Sequence, residues 1–175
     1  MKYISLITFF LSFIYCQYDY NLEDLNPSSE YYGDSIGVSY FSPKVTLHYF
    51  GHYTWGTCGF RFEQLNELSN SLISENIELQ LIGIGKATQL SSISNWTDDV
   101  DVPVCADPYP FDVWNEFEAG QRDLIILDKS GNLAYHNNIT SGIPDSLDNF
   151  IRSLSLLSTE SEIYTDKFML QDNHP

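Results

Sequence analysis

Cys58 stands three residues after Trp55 in the run "HYTWGTCGF" (52–60), where a strand-like stretch gives way to a helical pattern. A cysteine in the first turn of such a helix sits in a special chemical place. The unpaired N–H groups and the positive end of the helix dipole favour thiolate over thiol, and the thiolate is the nucleophile. Dithiol oxidoreductases place two cysteines here as C-x-x-C. The first attacks, and the second, one turn later, resolves the mixed disulfide. Counted forward from Cys58, the partner position holds Arg61; counted back, it holds Trp55. Neither is a cysteine. His52, six residues upstream of Cys58, is either a group that lowers the thiol pKa further or an ordinary loop histidine.

The chain has three cysteines, and Cys105 in "PVCAD" is the other candidate partner. Two readings stand for it. It bridges to Cys58, or it is a buried core thiol. An intervening strand between the two would leave a gap near 10 Å, beyond disulfide reach. Other chemistries lack their residues. "GIGKAT" (83–88) has Ala87 where a phosphate loop needs Ser or Thr, and it reads as the end of a strand. The four histidines pair with no cysteine at zinc-ligand spacing, and Asp98, Asp99 and Asp101 lack the glycine and glutamate of a calcium loop, so no metal is expected.

The elements that must position Cys58 follow from periodicity. "KVTLHYF" (44–50) predicts a strand, and Leu65, Leu68, Leu72 and Ile73 predict a helix from about Cys58 to Ser74. "IELQLIGIG" (77–85) has the near-continuous apolar character of a buried parallel strand. "KATQLSSISNW" holds a short helix, "VPVCAD" a further strand and "YPFDVWNEFEA" another short helix. "DLIILD" (123–128) and "NLAYHNN" (132–138) form a hairpin around "KSG", its glycine placed for a positive φ. "PDSLDNFIRSLSLL" is a closing amphipathic helix capped by Asp145 or Ser146. The order is β-α-β, an insert, then β-β-α: an α/β, thioredoxin-like arrangement with a central mixed sheet flanked by helices. In that frame Leu65 and Leu68 follow Cys58 at the spacing of core leucines. Cys58 then takes the resolving position and Trp55 the attacking one.

Composition and termini bound the setting. Of 175 residues, 8 are Lys or Arg against 24 Asp or Glu, a net charge of -16, which argues against nucleic acid as a partner. Residues 1–16 have the layout of a secretory signal, too short to span a bilayer, with a mature start near Gln17. Asn95-Trp96-Thr97 and Asn138-Ile139-Thr140 are glycosylation acceptors, whereas the proline after Asn26 disqualifies a third. The expected location is therefore secreted or within the secretory lumen, without membrane insertion after cleavage. Residues 17–43 read as an N-terminal extension with a short strand at "IGVSYF", 44–157 as one domain, and 158–175 as an acidic tail.

The run "KVTLHYFGHYTWGTC", the leucines after it, and "VPVCADPYPFDVWNEFEAGQRDLIILDKSGNLAYHNN" together resemble the N-terminal domain of selenoprotein P, an extracellular thioredoxin-like module. The resemblance covers about Lys44 to Leu157. The family carries selenocysteine in a U-x-x-C motif. Carried over, Cys58 matches its cysteine and Trp55 falls on the selenocysteine position. The resemblance implies thiol or selenol redox chemistry, peroxidase-like if active, with a protein or small thiol as redox partner. The selenocysteine-rich tail and histidine-rich runs of selenium-carrying members are absent, and with Trp55 as attacking residue catalysis would be weak or lost. No cofactor is expected, and selenium enters only if residue 55 is selenocysteine: UGA encodes that residue in selenoprotein genes and tryptophan in some variant codes. In disulfide reductases of this fold a cis-proline faces the active-site thiols, where "GQRDLIILD" offers Arg122 and Asp123; the resembled domain also lacks that proline. A non-catalytic extracellular protein-binding module with an acidic surface is the alternative.

Overall fold

A computed structural model describes residues 17–157; the expected signal segment and acidic tail lie outside them. The chain order is β1 (Leu22–Glu23), β2 (Ser35–Ile36), β3 (Val45–Phe50), α1 (Gly56–Ser74), β4 (Leu79–Lys86), α2 (Ser94–Thr97), β5 (Val104–Asp107), α3 (Asp112–Glu116), β6 (Asp123–Leu127), β7 (Leu133–Asn138) and α4 (Leu147–Ser155). Short 3-10 turns precede β3 at Ser39–Phe41 and α2 at Ala87–Ser92. The main sheet has the order β5-β4-β3-β6-β7. β3, β4 and β5 run parallel, and β6 and β7 turn the far edge antiparallel. This is the expected β-α-β, insert, β-β-α order.

β3 lies at the centre with every residue buried, because both its faces are covered. Val45, Leu47 and Tyr49 join Leu79 and Leu81 of β4 under α1 and α4, in a core that includes Cys58, Phe62, Leu65, Leu72 and Ile151. Phe50, Ile82, Ile84, Cys105 and Ile125 face the other way, toward Trp114 and Phe117. Gly83 and Gly85 have a packing role. A Cβ at Gly83 would lie 2.5 Å from the Phe62 ring, and one at Gly85 would lie 2.2 Å from that of Tyr53, so the missing side chains admit the two rings.

The segment read as an extension is part of the domain. Leu22, Ile36, Val38 and Phe41 are buried in the second core. Asp24 Oδ1 accepts the Val104 N–H at 3.0 Å, and buried Asn26 donates to the Val100 and Val102 carbonyls at 3.0 and 2.7 Å. Of its predicted strand over 36–41 only Ile36 lies in a strand, β2 being Ser35–Ile36, and Ser39–Phe41 form the 3-10 turn instead. The first helix starts at Gly56, two residues earlier than its leucine spacing indicates, because the Cys58 N–H reaches the Trp55 carbonyl at 2.8 Å and closes the turn. In the β6–β7 hairpin, Gly131 takes φ 79° and Asp128 Oδ1 accepts the N–H groups of Ser130 and Asn132, both at 2.9 Å.

Candidate functional site

β3 delivers the chain to the N-terminus of α1, where Trp55 takes the flanking position with extended backbone angles and offers no side-chain acceptor. Cys58 is the third residue of the helix and 0% exposed. The Tyr49 hydroxyl donates to the Cys58 carbonyl at 3.2 Å. Burial, then the neighbouring Cys58 sulfur, pushes the Tyr49 phenol well up, so it keeps its proton. Trp55 by contrast is 52% exposed, its ring 5.8 Å from that of His52 and 6.0 Å from the Arg122 guanidinium.

Two donors face the sulfur. Gln121 Nε2 lies 3.4 Å from Cys58 Sγ, and Arg122 Nη1 lies 3.9 Å from it. Both come from the loop before β6. Arg122, the residue just before β6, adopts a left-handed φ of 67°. That conformation is uncommon for a residue with a Cβ and needs support from its surroundings. Gln121 was not legible as a site residue, since no pattern marks a glutamine whose amide turns toward a helix start. His52 is half-buried, and burial, with the charges of Lys86 and Arg122, lowers its pKa. It therefore stays neutral at neutral pH and adds no positive charge beside the thiol.

Cys105 does not bridge to Cys58. Both are free, buried thiols. Cys58 belongs to the core under α1 and Cys105 to the core on the opposite face, with β4 between β3 and β5. Burial, reinforced by the Asp24 carboxylate, pushes the Cys105 thiol well up and keeps it protonated. Its carbonyl accepts from the Tyr53 hydroxyl at 2.6 Å.

The two acceptor asparagines differ. Asn95 lies exposed in α2 and gives one amide hydrogen to the Tyr53 carbonyl at 2.8 Å. Asn138 ends β7, beside the loop that carries Gln121 and Arg122. Among the described residues no three His, Cys, Asp or Glu side chains gather as a metal site, and no helix is long and apolar enough to cross a membrane.

The arrangement supplies one thiol under two hydrogen-bond donors, with the residue one turn before it at the surface. Such a thiol can enter one disulfide exchange, but among the described residues no second sulfur stands beside it to resolve it. No family profile and no curated protein matches the sequence. Solved structures match in fold. DsbF of MTB, in mixed oxidized and reduced forms, gives a TM-score of 0.62 at 16% identity, over 81% of this chain and 99% of that one. A secreted Mycobacterium tuberculosis disulfide oxidoreductase homologous to E. coli DsbE gives 0.59 at 12%, over 79% and 98%. Yeast Sco1 with copper bound gives 0.63 at 13%, over 82% and 91%. At these identities the likeness establishes the thioredoxin-like fold.

Proposed function

We propose that this chain is a secreted, selenoprotein P N-terminal-like protein of thiol or selenol redox descent, with Cys58 in the resolving position. Residue 55 keeps the place of the attacking group. The observation that carries this reading is the Cys58 sulfur, one helical turn after residue 55 and 3.4 and 3.9 Å from Gln121 and Arg122. A second sulfur or selenium at position 55 would complete a pair. Trp55 cannot attack a disulfide or a peroxide, so the tryptophan form retains at most single-thiol exchange.

Codon 55 in the genomic DNA tests the selenol form directly. A TGA codon, with selenium's isotope pattern in the mass spectrum of the secreted protein, supports it; TGG removes it. For the tryptophan form, incubation with a small disulfide such as oxidised glutathione should give a mixed disulfide on Cys58. A Cys58 that forms none while the protein is folded would refute the thiol reading.

A binding role on the same surface is the second reading. Trp55 and Phe60, 52% and 56% exposed, flank Gly56 and Gly59 in a groove rimmed by Glu63 and Asp99. Exposed aromatics beside acids suit a basic protein segment.

A further inference from the structure

Asn138, Ile139 and Thr140 form an Asn-x-Thr tripeptide, and all three residues bond back to residues 121–123. Asn138 Nδ2 donates to the Gln121 carbonyl and to Asp123 Oδ1, each at 2.8 Å, which uses both amide hydrogens. The Ile139 N–H donates to the Arg122 carbonyl at 2.9 Å, while its side chain, 1% exposed, is buried in the core that holds Cys58. Thr140 Oγ1 accepts from Arg122 Nε at 2.7 Å. The Thr140 N–H donates to Asn138 Oδ1 at 3.1 Å, closing the tripeptide on itself.

These bonds account for the backbone and side chain of Arg122. Its N–H donates to the Phe50 carbonyl at 2.8 Å, so the backbone is tied on one side to β3 and on the other to Ile139. With φ at 67° the residue needs both ties. Because the guanidinium is planar and rigid, fixing Nε on Thr140 also fixes the direction of Nη1, which points at the Cys58 sulfur. Asp123 braces the same loop: its carboxylate accepts from Gly120 N–H at 2.6 Å and pairs with His136 Nε2 at 3.0 Å.

We propose that Asn138–Thr140 is the positioning element of the thiol site, holding Gln121 and Arg122 over the Cys58 sulfur. The inference rests on Cys58 being the working sulfur. N-linked carbohydrate would replace one Asn138 amide hydrogen and break one of its two bonds to the loop.

The test uses Thr140→Val, which keeps shape but loses the acceptor, Thr140→Ser, which keeps the acceptor, and Asn138→Asp, which loses both donors. The first readout is solvent exchange of the Arg122 Nε–H by NMR. The second is the rate at which iodoacetamide alkylates Cys58, with Cys105 on the opposite face as internal reference. Arg122 Nε–H should exchange slowly in the wild type and in Thr140→Ser, and at least about tenfold faster in Thr140→Val. Cys58 alkylation should rise about tenfold in Thr140→Val, the effect of one lost hydrogen bond on a local opening, and by more than that in Asn138→Asp, which loses two. Thr140→Ser should match the wild type, and Cys105 should not change. Free exchange of Arg122 Nε–H in the wild type overturns the proposal. So does a Thr140→Val protein with unchanged exchange and Cys58 rate, or one in which Cys105 accelerates equally. If the Arg122 proton behaves as expected but Cys58 forms no mixed disulfide in any variant, the positioning stands and the redox reading falls.

Discussion

Replacing Trp55 with cysteine should convert the chain into a working dithiol. The Cys58 N–H bonds the Trp55 carbonyl at 2.8 Å, so residues 55 and 58 share one tight turn. Residues three apart in such a turn have Cβ atoms about 5–6 Å apart, which a modest side-chain adjustment brings to disulfide distance. The substitution removes little packing, because Trp55 is half exposed and its ring contacts described above are with His52 and Arg122. A disulfide closing this short loop stabilises the folded chain by about 2 kcal/mol at most. That corresponds to a rise in Tm of roughly 4–8 °C for the oxidised over the reduced variant. A glutathione titration, followed by alkylation and mass spectrometry, should give a reduction potential of about −120 to −270 mV, the range of C-x-x-C proteins. The variant should also reduce insulin in the presence of dithiothreitol faster than the wild type. A folded Trp55→Cys protein that keeps two free thiols against excess oxidised glutathione would refute the placement of residue 55 as the attacking position.

Three further outcomes follow from the packing. His48 is fully buried, and burial lowers its pKa to about 3, against about 6.5 when unfolded. The unfolded chain therefore binds a proton that the folded one refuses between these values. Stability should be lost as pH falls from about 6.5 to about 3, by up to about 5 kcal/mol, and His48→Phe should remove much of that slope in acid-unfolding curves. Gly85→Ala drives a methyl group into the buried Tyr53 ring. It should cost about 2 kcal/mol or more, read as a fall in Tm of roughly 5 °C or more. In a glycosylating host, peptide mapping of the folded protein should find carbohydrate on Asn95, which has an amide hydrogen to spare, and none on Asn138, whose two are committed.

The order of elements was legible because strand and helix leave different periods in the chain: "KVTLHYF" and "DLIILD" read as strands, and the leucines after Cys58 as a helix. The place of Cys58 near a helix start, and of Arg122 before β6, came from the same reading. The sequence left open which face each cysteine serves. β3, β4 and β6 are buried on both sides, so no alternation of polar and apolar residues marks a face, and Cys105 looked available to Cys58. Residues 17–43 looked like a polar leader because Asp24 and Asn26 carry the signature of solvent, yet both are buried and hydrogen-bonded to β5 and the segment before it. "NIT" reads as an acceptor for carbohydrate in the sequence, and only the pairing of β7 with β6 shows its amide and hydroxyl laid against residues 121–123. By itself the sequence determined a thiol near a helix start, three residues after a tryptophan. Only the tertiary structure decided what surrounds that sulfur, because Gln121 and Arg122 reach it across more than sixty residues of chain, by contacts that no local pattern encodes.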